Sequence, residues 1–311
     1  MTITAAQVKE LRDRTGAGMM DAKKALEEAN GDADKAVELL RQKGVDTAAK
    51  KAGRAAAEGV VEALVADDRK SGVLVEINCE TDFVAKGDAF QKMVKEVVEQ
   101  VFENQPANLD ALLAEPSKHL SGKTVQEYVA EKVGSIKENL NIRRFVVFTC
   151  NKPGAVQSYI HMGGKIGVLV DLCCEKDATA NSTEFLQLAK DLSLQIASAA
   201  PEFRTRDDIS PDVIAEETRV EMGKEDIQKK PPEIREKIVT GRVNKLLGER
   251  VLLEQPFVKD PAVTVNDLLK QVGDKLGDTL TVSRFTRYML GEGIEKKESN
   301  FAEEVAAAAK V

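Results

Sequence analysis

Asn78-Cys79-Glu80-Thr81-Asp82-Phe83-Val84-Ala85-Lys86-Gly87 follows an alternating apolar run, Val73, Val75 and Ile77, and precedes a segment of helical periodicity. A strand therefore ends and a helix begins inside this stretch, the kind of junction where rigid scaffolds hold exposed functional groups. A bulky Phe beside an Asp is unusual there. One reading makes Asp82 a helix cap and Phe83 a core anchor, since Asp favours caps and Phe is usually buried. The other makes Asp82-Phe83 an apolar wedge beside a negative charge, aimed at a partner. Residue types alone leave both open.

Working outward, Val60–Val65 and Val73–Cys79 flank the polar turn 67–72 and read as a β-hairpin. Downstream, Phe90, Met93, Val94, Val97, Val98, Val101 and Phe102 recur at three- and four-residue spacing, one apolar helical face with Asp88 as its expected cap and Pro106 closing it. Thr124-x-x-Glu127 is a capping box for a second helix through Val133 and Ile136. The theme then recurs. Ile142–Thr149 and Val156–His161 are expected to form a second hairpin, Ile166–Cys173 a strand buried on both faces, and residues 185–196 a helix halted at Pro201. The reading is two related hairpin-plus-helix subdomains, the second completed by a helix capped at Thr264-x-x-Asp267 and a strand over Thr279–Leu290.

Upstream, residues 5–44 read as three short helices: Val8 and Leu11 on the first, Ala22, Ala25, Leu26 and Ala29 on the second, then an Asp32-capped third stopping at Gly44. Residues 47–58 read as a basic, Ala-rich linker. Residues 201–245 are dense in charge and poor in apolar positions, a helical hairpin broken at Pro231-Pro232 that buries little by itself. Gly291-Glu292-Gly293 reads as a hinge before a terminal helix bearing Phe301, Val305 and Ala308.

The 311 residues carry a net charge of −7, with 42% hydrophobic and 4% aromatic residues and no Trp. That supports two or three domains with aliphatic cores and argues against a nucleic-acid surface, which wants net positive charge. Four cysteines without C-x-x-C spacing argue against a disulfide framework or structural zinc and fit a reducing cytosol. Adjacent Cys173 and Cys174 are expected to alternate strand faces. No apolar run is long enough to span a membrane and no signal peptide is evident. Two histidines, His119 and His161, and no nucleophile, phosphate-loop or metal-ligand motif leave no cofactor, no metal and no enzyme expected. A non-enzymatic binding protein fits better, with an adaptor as the alternative.

Glu80-Thr81-Asp82-Phe83-Val84-Ala85-Lys86 resembles the signature of bacterial-type elongation factor Ts. So do Val8–Arg12 running into Thr15–Asp21, Asn141-Ile142-Arg143-Arg144, His161–Val170, and Gln255-Pro256-Phe257-Val258, which occur in the family's order across nearly the whole chain. The resemblance implies an α+β protein acting as a guanine-nucleotide exchange factor on elongation factor Tu. By it, Thr81, Asp82, Phe83 and Val84 dislocate the partner's magnesium, and Met19, Met20, Lys23 and His161 make further contacts. It implies a ubiquitin-associated-like domain at 1–46, a linker at 47–58, and core subdomains at 59–141 and at 142–200 with 246–291. It also implies a dimerisation insertion at 201–245, giving a homodimer or 2:2 complex, and a partner-docking module at 292–311.

Overall fold

The computed structural model describes residues 3–295, so the expected terminal helix with Phe301, Val305 and Ala308 lies outside the described residues. The chain opens with helices α1 (Ala5–Thr15), α2 (Met19–Glu28) and α3 (Ala33–Lys51). Thr4 with Gln7 forms a capping box on α1, and Asp32 accepts from Asp34 and Lys35 N–H to start α3. Val8, Leu11, Ala22, Ala25, Leu26, Ala36 and Val37 make the small core expected of this block. The third helix does not stop at Gly44, however. It runs on to Lys51, through most of the expected linker, because Gly44 is a crossing point: a Cβ on Gly134 would lie 2.7 Å from Gly44 Cα. Packing against a second helix outweighs glycine's weak propensity.

The first half of the core holds β1 (Glu58–Val65), β2 (Ser71–Cys79), α4 (Asp82–Ala85), α5 (Asp88–Asn104), α6 (Leu109–Ala114), α7 (Val125–Ile136) and β3 (Asn141–Thr149). The second holds β4 (Gly154–His161), β5 (Ile166–Cys173), α8 (Asp177–Ala180) and α9 (Thr183–Ala199), then an inserted arm, α10 (Pro211–Met222), α11 (Glu225–Gln228) and α12 (Pro232–Arg250). It closes with the small pair β6 (Pro256–Phe257) and β7 (Asp260–Thr264), then α13 (Val265–Leu276) and β8 (Thr281–Met289). The architecture is α+β, with antiparallel sheets ordered β1-β2-β3 and β4-β5-β8.

One expectation fails here. Ile142–Thr149 does not form a hairpin with Val156–His161; β3 pairs with β2, and β4 with β5. Strand alternation names no partner, and β2 needs a neighbour on each edge. The helix over 88–104 also starts one residue earlier in role than expected, with Gly87 as its cap and Asp88 in its first turn.

Both central strands are buried along nearly their whole length. One face of each sheet packs on its own helices, α5 and α7 in the first half and α9 and α13 in the second. The other faces pack together through Val61, Leu74, Phe148, Val156 and Leu169. The approach is close enough that a Cβ on Gly72 would sit 2.9 Å from Val156.

The two halves repeat contact for contact across this interface. Val61 N–H donates to Gly164 O and Val156 N–H to Arg69 O; Cys150 N–H donates to Lys70 O and Leu290 N–H to Lys165 O. Buried Glu76 accepts from Arg144, which also donates to Met289 O and stacks over Tyr288. Buried Asp171 accepts from Arg284, which donates to Thr149 O and stacks over Phe148. Each sheet's last strand thus clamps the other half.

The expected hinge after β8 is pinned: Gly291 N–H donates to Glu76 at 2.8 Å, and a Cβ there would collide with Ala57 O.

Candidate functional site: the Thr81–Val84 turn

Thr81 caps α4, its Oγ1 accepting from Val84 N–H at 3.2 Å. Glu138, from the loop before β3, holds the turn from below. Its carboxylate accepts from Glu80 N–H and Thr81 N–H, each at 3.1 Å, and from Thr81 Oγ1 at 2.6 Å. Buried Cys79 donates to Thr81 O, and burial first, then the Glu138 charge, pushes its thiol up to about 12. Gln91 donates to Ala85 O, and Ala85 is itself buried. The backbone is therefore fixed on every side.

Asp82 is not the cap; it occupies the first helical position, where the positive end of the backbone dipoles favours an anion. Lys86 donates to it at 2.6 Å, which holds its carboxyl below the ordinary range, and the Lys165 charge acts in the same direction. Phe83 is not a core anchor. It is 84% exposed, more than any other large hydrophobic side chain among the described residues. Val84 is half-buried against the first core.

The second half supplies an internal control. Asp278 accepts from Glu175 N–H and Lys176 N–H as Glu138 does from Glu80 and Thr81, and Cys174 donates to Lys176 O as Cys79 does to Thr81 O. The short helix α8 follows as α4 does, yet the residue in the place of Phe83 is Ala178. The fold builds this turn without a Phe, so Phe83 has no structural reason to be large and apolar.

The remaining expected contacts are spread more widely. Met19 and Met20 are exposed, 49% and 64%, at the start of α2, and Lys23 pairs loosely with Glu27 at 3.8 Å. They belong to the three-helix unit, but Asp21 pairs with Lys137 at 3.1 Å, next to Glu138, so that helix start is chained to the base of the Thr81 turn. His161 ends β4, exposed, its ring stacked on Tyr159 and its Nδ1 2.9 Å from the Tyr159 hydroxyl. Glu138, Lys86 and the pair Lys165–Glu58 at 2.7 Å escaped the sequence reading. Lys86 at helical spacing from Asp82 was a readable signal; the others lie far away in sequence and left none.

Between the three-helix unit and α5 and α7 lies a cleft of about 480 Å³, crossed by Arg41–Glu131 at 3.4 Å. Among the described residues no group of three or more His, Cys, Asp or Glu side chains is placed to hold a metal, and no helix is long and apolar enough to cross a membrane.

The turn thus presents an exposed apolar ring beside the Asp82–Lys86 ion pair on a backbone held from below by Glu138. Sequence comparison places the chain in a family. A model of the family described as Elongation factor TS matches residues 80–292. The chain is 51% identical over 309 residues to elongation factor Ts of Trichlorobacter lovleyi, covering 99% of each. It is 48% identical to that of a Nostoc species, over 98% of this chain and 97% of the relative, and 48% identical to that of Clostridium perfringens, over 98% of each. The chain belongs to the elongation factor Ts family, whose members serve nucleotide exchange in the elongation phase of protein biosynthesis.

Proposed function

We propose that this protein binds elongation factor Tu carrying GDP and speeds GDP release by pressing Asp82 and Phe83 toward the partner's magnesium and nucleotide site, so that GTP can replace GDP. The observation that carries the reading is Phe83, 84% exposed on a turn whose internal counterpart has Ala178. Thr81 and Val84 set its angle, Thr81 as the cap and Val84 by resting on the core. Full burial of a Phe side chain stabilises a complex by about 1.5–3 kcal/mol. Directed at a partner conformation that GDP and magnesium disfavour, that energy is a useful share of the coupling. Asp82 competes for cationic and hydroxyl groups that organise the magnesium site and need not ligate the ion.

Met19, Met20 and Lys23, on a three-helix unit of ubiquitin-associated-like type, and His161, on the second half, serve as further contacts. The arm α10–α12 is an assembly element giving a homodimer or a 2:2 complex. Ile214, Val220, Ile234 and Leu246 lie exposed on it, while its inner stripe, Val239, Val243 and Leu247, is already buried. The functional reading is tested by stopped-flow release of a fluorescent GDP from elongation factor Tu at increasing concentrations of this protein. Acceleration saturating at micromolar factor supports it, and release at the intrinsic rate at every concentration refutes it.

A further inference from the structure

The pseudo-symmetry of the two halves identifies a second residue that the fold does not require. The β1–β2 turn and the β4–β5 turn are counterparts: Arg69 N–H donates to Ala66 O, and Gly164 N–H to His161 O. The first turn places Asp67 and Asp68 outward, ordinary solvated residues, and takes a left-handed conformation only at Arg69, φ 58°. The second is left-handed at three successive residues, Met162 at φ 50°, Gly163 at 63° and Gly164 at 93°. Glycine adopts that region freely; Met does not. Met162 is also 71% exposed, second only to Phe83 among the large hydrophobics of the described residues. A strained backbone holding an apolar side chain in water serves neither stability nor solubility, and such strain collects at binding sites.

The same turn is tied to β1, the strand against which the α4 turn carrying Phe83 packs. Gly164 O accepts from Val61 N–H, and Lys165 reaches Glu58 at 2.7 Å. Buried Ala85 fixes α4 to the core that contains Val60 of that strand. The Lys165 charge is felt at Asp82 and the Glu58 charge at Lys86, so the two turns share one electrostatic neighbourhood. Lys70, the counterpart of Lys165, donates instead to a backbone carbonyl, Gly154 O. Symmetry is thus broken on one side only, the side that carries Phe83.

Resting on the functional reading above, we infer that Met162 is a second apolar contact for the same partner, elongation factor Tu, held in register with Phe83 by the Lys165–Glu58 pair. The unbranched thioether adapts to a partner surface that shifts between nucleotide states. Full burial of a Met side chain corresponds to about a tenfold gain in affinity.

The test measures dissociation of the full-length protein from nucleotide-free elongation factor Tu by surface plasmon resonance, for Met162→Asn, Met162→Leu and Phe83→Ala. Asn accepts the left-handed conformation, so Met162→Asn is expected to melt at the same temperature or higher while dissociating about tenfold faster. Met162→Leu, which keeps the apolar group, should stay within about twofold of the parent. Parent-like dissociation of Met162→Asn overturns the inference. If Phe83→Ala nevertheless dissociates faster, the functional reading stands without it; if neither variant differs from the parent, both fall. A change in the mass of the free Met162→Asn protein by light scattering would assign the residue to contacts between copies of this chain and also overturn the inference.

Discussion

Phe83 and Glu76 show the two opposite uses of a conspicuous residue. Phe83 is apolar and left in water; Glu76 is charged and fully buried. Phe83→Ala removes nothing the fold leans on, so the protein should melt unchanged while GDP release from elongation factor Tu slows by about tenfold or more. A sharply lower melting temperature with exchange intact per folded molecule would restore the core-anchor reading. For Glu76, burial raises the carboxyl pKa, but the Gly291 N–H, Arg143 and Arg144 outweigh it and leave the folded value below the ordinary one. A depressed carboxylate contributes stability that is full above its unfolded pKa and is lost as pH falls through the folded one. Glu76→Gln should therefore destabilise by about 3 kcal/mol at neutral pH and flatten the acid limb of the stability curve. Urea unfolding at pH 7 and at pH 4 checks both, and equal losses at the two pH values would contradict the assignment.

At the scale of elements, α3 is the instructive case. Its first half closes the three-helix core, and its second half lies on α7 with Gly44 against Gly134. Lys51 donates to Lys137 O and Asp21 pairs with Lys137, so the three-helix unit is attached by a strut with polar ties. Gly134→Leu should force the helices apart at a cost of about 1–3 kcal/mol. Hydrogen exchange would then speed at residues 44–51 while residues 5–40 stay protected; protection lost equally in both segments would show one indivisible core. The arm can be removed more cleanly. Arg206 donates to Asn244 O and pairs with Glu254 at 2.6 Å, which fixes the arm's base. Replacing residues 211–243 with a short Gly-rich linker should change the assembled mass by light scattering and leave most exchange activity. Complete loss of exchange in a well-folded deletion would instead place the arm in the exchange site.

At the scale of the molecule, exchange is a linkage between two ligands of one GTPase. If this protein weakens GDP binding by some factor, GDP must weaken this protein's binding by the same factor. Calorimetric titration of elongation factor Tu with the factor, in saturating GDP and without nucleotide, should return equal ratios when compared with GDP titrations done with and without the factor. Unequal ratios would mean that a third component, such as a second copy of the factor, enters the cycle.

Much of this was readable locally. The capping signals at Asp32, Thr124 and Thr264 lie within three residues of what they cap, and each of these helices begins where its signal stands. The apolar run of Ile166–Cys173 encoded burial on both faces, because a strand covered twice has no polar side to show. The Glu80–Lys86 signature carried the family. What needed the tertiary structure was every choice between distant partners. Whether β3 pairs with β2 or β4 depends on which open edge lies nearest, and strand alternation does not encode edges. Gly44 reads as a stop until Gly134 is laid across it. Phe83 reads as anchor or as wedge, since the energy of an apolar ring depends on what covers it and residue types alone do not reveal that. The distant carboxylate of Glu138 holds the turn, and Ala178, in the matching place of the other half, marks Phe83 as unneeded by the fold. Helix periodicity and the caps at Asp32, Thr124 and Thr264 are short-range and were settled by the sequence alone; strand partners, the Gly44 crossing and the exposure of Phe83 are long-range and were settled only when the chain was folded.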